Sequence, residues 1–437
     1  MMALWDSLSA LTQDYALLVM LLLPSFCIGA FVLRGYAPWP LVGAILWRFR
    51  GSNISFVLLV TVSVGMGLGL SALERGLRQS MAASTDKFDL LVTAPGSKTQ
   101  MMLATVFLEP TDMALLNGTV FTQIAAHENV AFAAPLAFGD SYGLAPLVGT
   151  TANFINHFSN GQIQGRLWQS SKDALIGALA PLEIGQDFIP NHGVGLTSEG
   201  GVHGGDPLHV VGRMPPTGTP WDQAILVPIE TVWDIHGLAN GHAPDRVAQI
   251  GGPFDAAYFP GTPVIIIQAK DLWSNYALRS EFTRKGLSMA FFPATVLGNL
   301  FRVMAHIRTT VSVMSVLTQA ITVASVLLSL LIISRLFQRQ MSLLRALGAP
   351  KRFAFAVFWL YCIFLLAAGA FFGFIVGMFT ATSLSYLVGT QTGTLITAPF
   401  SWVEIHYLAG FISIMAMLAL LPALTVFQKS IIAGLRL

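Results

Sequence analysis

Residues 335–353 read Arg335-Leu336-Phe337-Gln338-Arg339-Gln340-Met341-Ser342-Leu343-Leu344-Arg345-Ala346-Leu347-Gly348-Ala349-Pro350-Lys351-Arg352-Phe353. Five basic residues stand here without an acid, between two uncharged apolar runs, Thr309–Ser334 and Phe353 to about Leu387. A helix needs about 20 apolar residues to cross the hydrocarbon core, so the runs predict two membrane spans and the basic stretch a loop between them. Three more runs meet the same criterion: Tyr15–Leu33, which is the shortest and holds Pro24, Gly51–Leu73, and Ile405–Phe427. The expected fold is an α-helical membrane protein of about five transmembrane helices.

Composition agrees. Of 437 residues, 54% are hydrophobic and 11% charged, where an average soluble domain carries about 25% charged residues. A formal net charge of +2 leaves little positive charge to neutralise phosphates, which argues against a nucleic-acid partner. The two cysteines, Cys27 and Cys362, both lie in apolar runs, excluding a disulfide framework and a cysteine-based zinc site.

Lys and Arg near span ends are retained on the cytoplasmic side. Arg34, Arg48 and Arg50 between the first two runs, the five basic residues of 335–352, and Lys429 and Arg436 in the tail are free of acids, whereas most Asp and Glu lie between Glu74 and Glu281. The basic segments are therefore expected inside and the long polar stretch outside. Residues 1–14 hold Asp6 and Asp14 but no Lys or Arg, unlike a secretory signal; Tyr15–Leu33 reads as a retained span.

Residues 74–308 form an inserted extracytoplasmic domain, rich in Pro, Gly, Asp and His. Val264–Ile267, Ala224–Val227 and Leu208–Gly212 read as strands, and Ser170–Ala180 and Leu272–Lys285 as helices. An α+β domain, in two lobes, is expected. The flanking spans are expected to continue into it as helices.

The chain has no Gly-Lys dipeptide, so the phosphate loop G-x-x-x-x-G-K-[ST] is absent. The glycine-bearing loops Gly139–Gly143 and Gly201–Gly205 lack the spacing of a dinucleotide site and read as turns. Of the histidines His127, His157, His192, His203, His209, His236 and His242, all in the insert, the pairs His203/His209 and His236/His242 are spaced six apart; neither spacing is diagnostic of a metal site. No catalytic, cofactor-binding or metal-ligating residue is expected. Met101–Leu108 reads as core rather than as an adaptable ligand surface.

Small residues say more. Gly65 and Gly69 make one G-x-x-x-G; Gly369, Gly373 and Gly377 make a double one. Such faces let helix backbones approach closely in lipid, within one chain or between two copies. Met341, Leu344 and Leu347 recur at helical spacing, with Leu343 beside them and Gly348 as a terminator. With Arg339 and Arg345 on its flanks, this amphipathic helix is expected to dock a cytoplasmic partner, Arg345 and Gly348 included, and Leu344→Asp to break that docking.

The run Leu344–Ala349, followed by basic residues and a new span, resembles the cytoplasmic loop of the FtsX/MacB/LolCE superfamily of ABC transporter permeases. The order of one span, a large insert and three spans is similar to theirs, and Gly205–Gly212 with Pro216–Pro228 looks like the MacB-type periplasmic domain. The resemblance implies a four-helix core, span 51–73 plus the spans of 309–437 with a coupling loop at 335–352, preceded by an extra helix and basic linker in 1–50.

It further implies a multi-pass protein of the bacterial inner membrane, not itself an enzyme and without a cofactor. A separate ABC ATPase subunit would bind the ATP, and the permease would form a homodimer or pseudo-symmetric heterodimer, with a periplasmic adaptor or lipoprotein as a further partner. The implied function is export or extraction of an amphipathic envelope substrate, a lipoprotein, lipid or peptide, by mechanotransmission. The alternatives are an FtsX-like regulator that activates a periplasmic enzyme, and a metal-homeostasis-associated envelope permease resting on the histidines alone.

The charge asymmetry places the N-terminus outside and the C-terminus inside. Topology reporters fused after Trp5 and after Leu437 should report opposite sides of the membrane; the same side for both would mean that Tyr15–Leu33 does not cross.

Overall fold

The computed structural model describes residues 7–193, 206–246, 249–284, 286–392 and 400–428, without the side chains of 303–322, 336, 390–392 and 425–428. The chain divides into two compact units. One takes the residues up to Leu77, Ile307–Tyr386 and those from Thr397 on; the other takes Arg78–His306 and a short segment from Leu387.

Among the described residues four helices are long and apolar enough to cross a membrane: Ala10–Val32, Arg50–Asp86, Lys351–Gly389 and Trp402–Leu424. They contain, but for a few residues at the ends, four of the five expected runs. The other, Thr309–Ser334, lies inside the helix Pro293–Leu336, mostly at positions whose side chains are outside the description. Its end, Val323–Arg335, passes the same test only together with Gln338–Ala346, which turns away from it by 45°.

The N-terminal helix begins at Ser9, whose hydroxyl accepts from the Thr12 amide, and lies against the last span. There the His406 ring donates to the Asp14 carbonyl at 3.0 Å, Ser413 donates to the Leu21 carbonyl, and Tyr15 meets Trp402 edge-on at 4.8 Å. A further helix, Trp39–Arg48, occupies what the sequence presents as linker. It buries Val42 and leaves Trp39 and Trp47 exposed, the amphipathic pattern of a segment at an interface.

Glu404, by sequence an ordinary interfacial residue, is fully buried. Its carboxylate closes a capping box with Ser401 at the start of the last span and takes a two-pronged contact from Arg75, at 2.5 and 2.9 Å. Planar guanidinium and planar carboxylate fit each other in this parallel arrangement.

Among the described residues the second unit is built on an eleven-stranded sheet. In chain order the strands are β1 (Leu90–Thr93), β2 (Val130–Tyr142), β3 (Ala145–Thr150), β4 (Gln164–Gly165), β5 (Asp173–Ile176), β6 (Asp187–Phe188), β7 (Asn191–His192), β8 (Leu208–Arg213), β9 (Ile225–Pro228), β10 (Val264–Ala269) and β11 (Met289–Phe291). The spatial order is β11-β1-β10-β2-β3-β9-β5-β8-β4, with β6 on β8 and β7 on β2. The long strand β2 serves both halves: its first part pairs with β10, its second with β3 and β7. Between the parts a β-bulge at Ala137–Asp140 shifts the register, with Gly139 at a φ of +149°, a conformation that glycine adopts without strain.

Both faces of this sheet are covered. Leu90, Val92, Ile265 and Ile267 enter one apolar core, while Leu91, Val264 and Ile266 enter the other. The expected strands at Val264–Ile267, Ala224–Val227 and Leu208–Gly212 and the helix Leu272–Glu281 are present. The expected helix over Ser170–Ala180 is instead β5, whose four residues are all buried. A strand covered on both faces has no alternation to distinguish it from a helix turn, and the Asp173 carboxylate ties its start down by accepting from Arg166 at 2.7 Å and from the Gln169 amide at 2.8 Å.

Removing one partner of a buried pair leaves an uncompensated charge. Glu404→Ala should therefore destabilise the membrane unit by roughly 2–3 kcal/mol, below the 3–5 kcal/mol typical of fully buried pairs, because the Arg75 side chain is 22% exposed and partly screened. Thermal unfolding of the detergent-solubilised protein reads this; a melting profile equal to wild type would show that the pair contributes nothing.

Candidate functional site

The five glycines singled out in the sequence lie on the facing sides of two helices of one chain. A Cβ on Gly369 would lie 2.6 Å from the Cβ of Val60, one on Gly373 2.7 Å from the Cβ of Val64, and one on Gly377 3.1 Å from the Gly65 carbonyl oxygen. In return, a Cβ on Gly65 would meet Val376 at 2.9 Å and one on Gly69 would meet Thr380 at 3.0 Å. The helices Arg50–Asp86 and Lys351–Thr392 thus run in near-backbone contact. Thr61 adds a hydroxyl donated to the Gly369 carbonyl at 3.3 Å, and buried Asn53 accepts from Tyr361.

The coupling segment is a nine-residue helix, Gln338–Ala346. Its C-terminus is closed by a Schellman pair: the Ala349 amide donates to the Leu344 carbonyl and the Gly348 amide to the Arg345 carbonyl, each at 3.1 Å, with Gly348 at a φ of +99°. That conformation is why glycine stands there. At the other end, buried Phe337 packs edge-on against Phe49 at 4.7 Å and Tyr361 at 5.0 Å, rooting the helix in the apolar core of its unit.

Met341, expected on the docking face, is 3% exposed and belongs to that core. Leu344 and Arg345 are half-buried, while Leu343 is 49% and Leu347 87% exposed. At 3.6 residues per turn each three-residue step falls about 60° short of a full turn, so Leu347 has rotated well away from Met341. The apolar surface open to a partner is Leu343 and Leu347.

In the other unit, Met101, Met102 and Val106 are buried in core. His127 contacts Glu281 at 3.0 Å and His209 contacts Asp187 at 2.6 Å; His203 lies outside the described residues. His242 is buried 3.5 Å from Glu230, whose carboxyl is pushed above the usual range by burial. His236, the sequence partner of His242, turns elsewhere: with His192 it faces the buried carboxylate of Asp140. Spacing gave no sign of this group, since its members come from β2, β7 and the end of the helix Ile229–Ile235. The one local signal was Gly139 directly before Asp140.

Comparison with known proteins gives one family. Residues 312–431 match the family model described as FtsX-like permease C-terminal. No curated protein matches the chain. Among solved structures, the periplasmic region of MacB from Actinobacillus actinomycetemcomitans is similar at 11% identity, covering 49% of this chain and 94% of that one, with a TM-score of 0.31.

The glycine contacts generate a paired test. Gly373→Leu forces a side chain into space held by Val64 and should lower the yield and melting temperature of the purified protein, since overpacking costs about 1–3 kcal/mol or more. Gly67→Leu, where a Cβ meets nothing within 4 Å, should be tolerated. Equal behaviour of the two variants would deny the glycine face its packing role.

Proposed function

We propose, for a chain that is a membrane permease of the FtsX/MacB type in an ABC system, that it receives work from a separate cytoplasmic ATPase and uses it to export or extract an amphipathic envelope substrate: a lipoprotein, a lipid or a peptide. The observation that carries the reading is the short helix Gln338–Ala346. It presents Leu343 and Leu347 outward and is anchored through Phe337 to the helices that bear the glycine face. Force applied to the exposed leucines passes through a packed aromatic node rather than a loose loop.

The basic residues Arg335, Arg339, Arg345, Lys351 and Arg352 around this helix support a cytoplasmic position under the positive-inside rule. The domain of residues 78–306 then lies on the outer side, the side of the bacterial inner membrane where envelope substrates are found. Leu272, Trp273 and Tyr276, 72%, 84% and 54% exposed on one helix of that domain, supply apolar surface of the kind an amphipathic substrate would cover. Two copies, or this chain with a related one, complete the permease, as the resemblance implies.

Leu347→Asp tests the reading without disturbing the fold, because the side chain it replaces is exposed. Purified from its native membrane, the wild-type chain should carry an ATPase that the variant loses, with the variant's own yield and melting profile unchanged. An undiminished ATPase in the Leu347→Asp preparation would move the coupling surface elsewhere. Mass spectrometry of the same preparation identifies the substrate: co-purifying lipid, lipoprotein or peptide supports transport, and a stoichiometric periplasmic hydrolase in their place would make the chain a regulator.

A further inference from the structure

We propose that Asp140, His192 and His236 form a binding site for a divalent first-row transition metal, zinc by its ligand set. Among the described residues these three bring ligand atoms within 4.8 Å of one another. The Asp140 side chain is fully buried, and Oδ1 lies 3.3 Å from His192 Nδ1 and 3.7 Å from His236 Nε2. In a tetrahedral site with bonds of about 2.0–2.1 Å, neighbouring ligand atoms stand about 3.3 Å apart. The Asp140–His192 separation matches that spacing, the Asp140–His236 separation exceeds it by 0.4 Å, and all three atoms lie within 4.8 Å of one another.

The second observation is the far side of the His236 ring. Its Nδ1 lies 2.8 Å from the Val232 carbonyl, which can only accept, so Nδ1 donates there and Nε2 is the ring nitrogen on the Asp140 side. A carbonyl that fixes the tautomer in this way is the usual outer partner of a metal-binding histidine.

The backbone supports the same placement. Asp140 and His192 are direct cross-strand partners of β2 and β7, and the bulge before Asp140 aims its carboxylate. An added Cβ on Gly139 would fall 3.7 Å from His236 Cε1 and Nε2, so that position leaves the ring close to the strand. The His192 side chain is 60% and the His236 side chain 27% exposed, so an ion here has three protein ligands and a face open to water, the pattern of an exchangeable rather than a closed structural site. Two imidazoles with one carboxylate suit zinc and its first-row neighbours, whereas magnesium and calcium prefer oxygen throughout.

The full chain, purified in detergent and stripped with chelator, should bind about one Zn2+ in equilibrium dialysis, and Co2+ should give the visible absorption of a low-coordinate site. His192→Ala and His236→Ala should each weaken Zn2+ binding by about tenfold or more, and Asp140→Asn, which keeps the shape of the side chain, should do the same. His209→Ala, which removes a surface histidine paired with Asp187, should leave binding intact. The proposal is overturned if the wild-type chain binds no Zn2+, or if the His192→Ala, His236→Ala double variant binds it as tightly as wild type.

Discussion

The membrane unit depends on two helices coming close enough for backbone to touch side-chain root. Lipid tails are as apolar as Leu or Val, so burying such residues between spans gains little; association in the bilayer rests on dispersion contacts, which fall off steeply with distance. Gly369, Gly373 and Gly377 accept Val60, Val64 and Leu68 of the facing helix, and Gly65 and Gly69 accept Val376 and Thr380 in return. With every fourth position of the two faces lacking a Cβ, the pair interlocks along several turns. A face used in this way within one chain is not available to a second copy.

What surrounds that contact makes it stiff at both ends. Toward the short helix Gln338–Ala346, Phe337 meets Tyr361 edge-on beside the Asn53–Tyr361 hydrogen bond; toward the other end, Glu404 caps its own helix and holds Arg75. A group with two such tasks couples them: fraying the start of the last span also costs the ion pair. Such doubled roles are a way for a helix bundle to respond as a body and not helix by helix.

Four of the spans were legible because an uncharged run of that length has no alternative home, and the glycines because their spacing is periodic. Trp39–Arg48 was not, being too short and too amphipathic to register as a run. The β5 strand was misread because a segment buried on both faces carries no alternation. Met341 was assigned outward because a three-residue spacing looks like one face over a single step and drifts off it over two. The partners of Glu404 and Asp140 were beyond reach for a different reason: Arg75 stands 329 residues from Glu404, and nothing local in a sequence marks which distant charge or imidazole the fold will bring opposite a carboxylate.

The bulge in β2 has a consequence of parity. Ahead of it the odd residues Ala133 and Ala137 face one core and the even residues Ala134 and Leu136 the other; past it, even-numbered Tyr142 joins the side of Ala133 and Ala137. One supernumerary residue has exchanged the two faces of the strand, and Asp140, which straight counting would put with Leu136, comes out on the side where Val232 and Trp233 of the His236 helix pack. The chemistry of that corner is therefore written in a reading frame. Loss of Phe138 or Gly139 would leave all three side chains in the sequence and turn the carboxylate to the opposite face of the sheet, so the corner is more vulnerable to a deletion beside it than to many substitutions within it.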